Sequence, residues 1–179
     1  IREQTDLPIL VREDDGRFLR EADLRKGGKP DQFYFWDEAQ ERLAKVPGCE
    51  GDGGRSLALG ALRPALAGRY EVELEDRSRV AVRPVLARLR ERLDSEYQPE
   101  QAAALTGLAP DLIRRFAHDL AAAPSAMIFA SWGACKHHHS DLFQRAMILL
   151  MALTANQGKP GGGLRVAAWW ELDGQRALW

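Results

Sequence analysis

Two clusters between residues 131 and 163 carry more chemistry than a turn or a helix cap requires. The first reads Trp132, Gly133, Ala134, Cys135, Lys136, His137, His138, His139, Ser140 and Asp141. A lysine brings a fixed positive charge, imidazoles donate or accept hydrogen bonds near neutral pH, and an indole offers a flat apolar face. Consecutive histidines raise the question of zinc. Adjacent side chains diverge, however, and zinc pairs stand further apart or one helical turn apart. No Cys-x-x-Cys or His-Glu-x-x-His pattern accompanies them, so a dedicated metal site is disfavoured and no metal ligand is assigned. Ser140 or Asp141 can cap the helix that follows. Capping leaves Lys136 and the histidine run unexplained.

The second cluster is Asn156, Gln157, Gly158, Lys159, Pro160, Gly161, Gly162 and Gly163. It is not a phosphate-binding Walker loop, because the leading glycine and the hydroxyl residue after the lysine are both missing. Asn156 or Gly158 can supply the left-handed residue that ends a helix, with Pro160 as the stop. The three further glycines exceed that need and suit a backbone passing close to a bulky ligand. A third group, Trp169, Trp170, Glu171, Leu172 and Asp173, can line an apolar pocket or pack a core before an Asp173-Gly174 turn.

These groups need elements to hold them. Residues 126–131 form a short, wholly apolar run of the kind found in a strand buried on both faces. A helix is expected from about 141 to 154, then the glycine-rich turn, then a strand over 164–170. Upstream, the spacing predicts helices over 99–105, closed by Gly107, and over 110–122, ended by Pro124. The second carries Leu112, Ile113, Phe116 and Leu120 on one side. Helix, strand, polar loop, helix, glycine-rich loop, strand is the order of a parallel α/β unit, in which ligands bind beyond the carboxyl ends of strands. The loop 131–140 lies at one such end.

The first half of the chain reads differently. An apolar run at 7–12 followed by Asp15-Gly16 suggests a hairpin or a strand with a tight turn, and 33–36 a short aromatic strand. Residues 46–68 are rich in Gly and Pro and read as a surface loop or insertion. Val72 and Leu74, a turn at 75–78, then Val80 and Val82 make a second hairpin. Pro84 opens a helix carrying Val85, Leu86, Leu89 and Leu93. The expected fold class is α/β, part of a parallel-sheet, Rossmann-like cofactor-binding domain with short β-hairpins in its N-terminal half. A hairpin- and loop-rich segment covers 1–83 and an α/β cofactor-binding segment 84–179.

The bulk numbers fit a folded chain. With 179 residues, 45% hydrophobic and 28% charged, it has the composition of a globular protein rather than a disordered one. A net charge of −1 gives no basic face for nucleic acid or an anionic membrane, and the arginines over 83–92 read as a solvated helix face. No apolar run reaches membrane-spanning length, so no direct membrane span is expected. Cys49 and Cys135 offer neither a disulfide framework nor cluster-binding spacing. Ile1 and Trp179 read as cuts through a longer protein, which leaves targeting undecided.

Taken together, the run from Trp132 to Leu142, the helix with Arg145-Ala146-Met147, and Ala152-Leu153-Thr154-Ala155-Asn156-Gln157-Gly158-Lys159-Pro160-Gly161-Gly162-Gly163 resemble the molybdopterin oxidoreductases of the dimethyl sulfoxide reductase family. Tyr97-Gln98-Pro99-Glu100, Leu105-Thr106-Gly107-Leu108, Leu112-Ile113-Arg114-Arg115-Phe116-Ala117 and the opening residues 5–12 and 16–24 are similar to the same region. The likeness is strongest to the subgroup of nitrate, selenate and chlorate reductases, dimethyl sulfide dehydrogenase and ethylbenzene dehydrogenase, and weakest over 46–68.

The resemblance implies part of a catalytic subunit holding molybdenum between two molybdopterin guanine dinucleotides. Such enzymes move two electrons and an oxygen atom, or hydroxylate an activated C–H bond with water. On that reading Lys136 is the charged residue nearest the reacting centre, His139 hydrogen-bonds the pterin or substrate region, and Trp169 and Asp173 are pocket residues. Trp132, Gly133, Cys135, His137, Asp141, Asn156, Gly158, Lys159, Gly161 and Gly162 line the cofactor. An iron–sulfur electron-transfer subunit and a haem subunit are the implied partners, a small molecule the substrate, and anaerobic respiration in the periplasm, rather than the cytoplasm, the setting.

Two departures stand out. Glycine is common in the family where Ala155 stands, a mild change if the backbone there is helical. The molybdenum-ligating aspartate and the cysteines of a [4Fe-4S] cluster lie earlier in such subunits and are not found in this chain. The cluster is therefore expected in the full-length subunit and not within these residues. The contrasting readings are a non-catalytic α/β nucleotide-binding or interaction domain, with the glycine-rich loop on a phosphate, and a structural domain whose glycines and histidines only make turns and caps. The upstream reading frame separates them by the presence or absence of that aspartate and those cysteines.

Overall fold

A computed structural model describes residues 1–3, 5–49, 58–130, 133 and 136–166. Contacts divide the chain into two compact units, Ile1–Ala102 and Ala103–Trp179.

In the first unit, β1 (Leu10–Arg12) bends back at Asp15-Gly16, and Val11 bridges Phe18 antiparallel. The short helix α1 (Glu21–Leu24) follows. Strands β2 (Tyr34–Asp37) and β3 (Arg42–Lys45) form one antiparallel pair. Strands β4 (Tyr70–Glu73) and β5 (Arg79–Pro84) form the second predicted hairpin, and β5 also pairs with β1, giving the order β1-β5-β4. Alternation decides which side is buried: Val80 and Val82 on β5 and Val72 on β4 join Leu10, Leu19 and Tyr34 in one core cluster. Helix α2 (Val85–Glu96) leaves β5 directly at Pro84, burying Leu86 and leaving Arg88, Arg90 and Arg92 exposed as expected.

Residues 46–68 are not only surface. Leu59 and Ala65 are buried, Leu59 against Ile9 and Phe35. Asp37 explains the attachment. Its buried Oδ1 accepts hydrogen bonds from the backbone N–H groups of Ala39 and Arg63, both at 3.1 Å, tying that loop to the end of β2. Glu21 plays the same role beneath α1. Its side chain is 1% exposed and accepts from Lys45 Nζ at 2.7 Å, Arg25 at 2.6 Å and the Lys29 N–H at 3.1 Å. Those donors hold its carboxyl down at about 2, the Lys45 bond first among the causes.

The division between the units falls inside helix α3 (Pro99–Thr106), which Gly107 closes in the left-handed conformation. The second unit continues with α4 (Pro110–Ala122), β6 (Met127–Ala130), α5 (Ser140–Leu153) and β7 (Gly163–Val166). Strands β6 and β7 are parallel, with Met127 opposite Gly163 and Ala130 opposite Val166, and α5 is the crossover between them. The protein is thus mixed α/β, with one parallel pair among antiparallel hairpins.

Two expectations about this unit need correction. Strand β6 is not buried on both faces: Met127 is 45% and Phe129 63% exposed, while Ala130 is buried. An apolar run specifies contact with something apolar, and among the described residues only one face of β6 has it. The backbone at Ala155 is not helical either. Its φ of +54° is left-handed, so Ala155, rather than Asn156, takes the left-handed position at the end of α5.

Candidate functional site

The two candidate loops lie at opposite ends of β6. Residues 136–139 follow its carboxyl end and lead into α5, whereas residues 156–163 fold against residues 124–126, just before the strand begins. Four residues of strand separate the two ends by about 10 Å. One ligand touching both would have to be extended.

At the carboxyl end, Lys136, His137, His138 and His139 are all exposed. The Lys136 N–H donates to the Gly133 carbonyl at 3.3 Å, and the rings of His138 and His139 stand 3.7 Å apart at 54°. His139 has a left-handed φ of +58° and is the residue from which α5 starts. Ser140 and Asp141 therefore lie inside the first turn, and neither caps the helix from outside as expected. The His139 carbonyl accepts from the N–H groups of Leu142 and Phe143. Asp141 is exposed in that first turn, where its charge opposes the positive end of the helix dipole. Among the described residues no three His, Cys, Asp or Glu side chains gather as a metal site.

At the amino end the arrangement is a clasp. Asn156 is 1% exposed. Its Oδ1 accepts from the Ala126 N–H at 2.8 Å, its Nδ2 donates to Thr154 Oγ1 at 2.9 Å, and its own N–H donates to the Met151 carbonyl at 2.8 Å. Lys159 Nζ donates to the Pro124 carbonyl, and Ser125 Oγ to the Pro160 carbonyl. The glycines have local reasons as well. A Cβ on Gly162 would stand 2.6 Å from the Asn156 carbonyl, so here the close approach is to the chain's own backbone. Gly158 and Gly161 are left-handed, at +74° and +73°. Among the described residues neither N–H donates a hydrogen bond, and both glycines are exposed.

Set against the sequence reading, Lys136, His137, His139 and Asp141 come together at one end, and Asn156, Gly158, Lys159, Gly161 and Gly162 at the other. Gly133 is exposed and accepts from Lys136. Trp132, Cys135, Trp169 and Asp173 lie outside the described residues. Sequence reasoning missed a cleft of about 350 Å³ in the first unit, lined by Phe18, Phe33, Phe35, Leu59, Asp6 and the free thiol of Cys49. Its walls come from five separate stretches of the chain, which no local pattern announces.

The chemistry on offer suits a polar, anionic and extended group. A lysine and imidazoles at one end, and backbone N–H groups of a glycine turn at the other, are groups that bind phosphates and other anions. No helix among the described residues is long and apolar enough to cross a membrane.

Comparison with known proteins gives the same direction. No family model matches the chain. The perchlorate reductase alpha subunit of Dechloromonas aromatica is 39% identical over 92% of the chain and 20% of its own length. The dimethylsulfide dehydrogenase alpha subunit of Rhodovulum sulfidophilum is 38% identical over 90% of the chain and 17% of its own length. The chlorate reductase alpha subunit of Ideonella dechloratans is 33% identical over 99% of the chain and 19% of its own length. The chain spans about a fifth of the length of these curated relatives. Similarity of this extent, to alpha subunits of one kind of enzyme, places the chain in the dimethyl sulfoxide reductase family of molybdopterin oxidoreductases.

Proposed function

We propose that the chain forms part of a catalytic subunit that uses bis-molybdopterin guanine dinucleotide for two-electron oxygen-atom transfer or water-dependent hydroxylation. The observation that carries this is similarity to alpha subunits over at least 90% of the chain, through both candidate loops. When bound, the metal and pterins supply the redox chemistry; the residues of this chain bind and orient. Lys136 supplies positive charge beyond the end of β6, and His137 and His139 offer ring N–H groups beside it. Gly158 and Gly161 present backbone N–H groups to a phosphate or ring edge, while Asn156 and Lys159 brace that turn. Trp132, Gly133, Cys135 and Asp141 complete the lining, with Trp169 and Asp173 toward substrate. A [4Fe-4S] cluster belongs to another part of the full-length subunit.

The fold proposal is that β6 and β7 belong to a wider parallel, Rossmann-like sheet. Two parallel strands with one bare apolar face do not make a stable layer, and Met127 and Phe129 are placed for cover from elsewhere in the subunit. The working enzyme passes electrons through an iron–sulfur subunit, with a haem subunit as a further carrier, in the periplasm. Perchlorate, chlorate, nitrate and dimethyl sulfide are the substrates to try.

Metal analysis of the full-length protein is the decisive test. Molybdenum near one atom per subunit, with two guanine nucleotides released on acid treatment, is the expected result; a full-length protein without molybdenum refutes the reading. In the loaded enzyme, Lys136→Ala should lower kcat/KM about a hundredfold on an oxyanion, the effect of losing one charged donor at a reacting centre. Unchanged turnover would remove Lys136 from the site.

A further inference from the structure

Helix α5 connects the two ends of the site, and something must fix how far it is slid along β6. Its buried contacts are Met147 and Met151. Methionine is unbranched and adaptable, so these two fill space without specifying one position. The specific bonds lie just beyond its C-terminal end. One buried side chain, Asn156, bonds the helix end through Thr154 and the start of the strand through the Ala126 N–H. An amide with both ends engaged and 1% exposure has one position in which it is satisfied, and a shift of a residue along β6 would leave buried polar groups unpaired. At 14 residues α5 is a rod about 20 Å long, and a displacement at its end is carried to its start.

We propose that Asn156 is a positioning residue: by pinning the end of α5 to the start of β6, it sets where Lys136 to His139 stand at the strand's far end. The catalytic consequence rests on the cofactor reading above; the clasp itself does not. Asn156 then acts on the candidate site from the opposite end of the strand, without touching ligand there.

The test compares Asn156→Ala, Asn156→Asp and Thr154→Val in the full-length subunit. Aspartate keeps the oxygen that accepts from Ala126, and Thr154→Val removes the acceptor of the Asn156 Nδ2 bond together with the hydroxyl's own bond to the Leu150 carbonyl. Hydrogen exchange reads the clasp without any cofactor. Asn156→Ala should speed exchange both at 126–130 and at 136–143, and Thr154→Val, which keeps the bond to the Ala126 N–H, should do so to a smaller extent; acceleration confined to 154–163 in Asn156→Ala overturns the proposal. In the loaded enzyme, Asn156→Ala should keep its molybdenum, change the Mo(V) electron paramagnetic resonance signal and lose about a hundredfold in kcat, the scale of a 1 Å misplacement. Asn156→Asp should recover most of both. A wild-type signal and kcat in Asn156→Ala, or equal losses in the alanine and aspartate variants, overturn the positioning role. If Asn156→Ala does not accumulate, Asn156→Asp decides alone: a wild-type signal supports the shared oxygen, and an altered one refutes it. A wild-type subunit lacking molybdenum refutes the cofactor reading instead, and the exchange result still decides the clasp.

Discussion

Ala155 ends α5 in a backbone conformation that glycine takes without strain. A left-handed φ of +54° brings its Cβ toward the following carbonyl, a conformation that costs an L-residue about 1–2 kcal/mol. Glycine avoids the clash but gives the unfolded chain more freedom, at about 0.4–1 kcal/mol. Ala155→Gly should therefore stabilise the protein by about 0.5–1 kcal/mol, read as a raised denaturant midpoint with an unchanged slope. A lowered midpoint would mean that the helix end rearranges. The conformation was not legible from residue type, since alanine favours helix; it follows from Asn156, whose buried amide demands that the chain turn sharply just before it. Glu21 makes the second prediction at this scale. Lys45, the Lys29 N–H and Arg25 depress its carboxyl from 4.5 to about 2. Depression in the folded state means that the stabilisation is complete above about 4.5 and is lost as the pH falls toward 2. Glu21→Gln should flatten the stability profile across that window and lower stability at neutral pH. A profile unchanged by the substitution would show that other carboxylates carry the acid response.

At the scale of elements, what the sequence reveals depends on how local the cause is. The two predicted hairpins of the first unit are legible because Asp15-Gly16 and the turn over 75–78 separate apolar runs, and turn chemistry acts within four residues. Strand β3 is not legible: Arg42-Leu43-Ala44-Lys45 lacks alternation of strong strand formers, and it pairs because β2 offers it a partner. The four residues of α1 are likewise held by Glu21 and its distant partners rather than by helical periodicity. The parallel unit β6–α5–β7 is legible as an order of elements, and its two loops as unusual composition. That the loops stand at opposite ends of β6 follows from strand direction. That the glycines relieve contacts with Asn156 and Ala126 required the packed backbone. Burial of β6 was misjudged because a face is covered or bare according to what lies beyond these residues. Phe129 turns this into a measurement. It is 63% exposed here, so its truncation to alanine would ordinarily cost under about 0.5 kcal/mol. Under the proposed wider sheet, Phe129→Ala in the full-length subunit should instead cost about 3 kcal/mol, as loss of a buried aromatic does. A change within about 0.5 kcal/mol would leave that face solvent-exposed in the whole protein.

At the scale of the whole molecule the two units have different sources of stability. The first has its own core: Leu10, Leu19 and Val82 are fully buried, and ion pairs from Arg12 to Asp23 and from Arg83 to Glu13 cross between its segments. Helix α3, in which the division falls, and α4 bury no residue completely, and Leu105, Leu112, Phe116, Leu142 and Phe143 of the second unit are each more than half exposed. Apolar area left in water contributes nothing to folding, about 25 cal/mol for each Å² forgone, and a contiguous patch invites association. If the chain is one part of a subunit about five times its length, that area is where the remainder packs, and the second unit depends on it. The 179 residues produced alone should then behave as a folded unit joined to a loosely held one. Hydrogen exchange should protect the amides of β1, β4 and β5 by orders of magnitude more than those of α4, β6 and α5, and a hydrophobic dye should bind. In the full-length subunit the contrast should close and the dye binding vanish. Equal protection of the two units in the isolated chain would show that the second is stable without cover, and the case for a larger sheet around β6 and β7 would fall with that result.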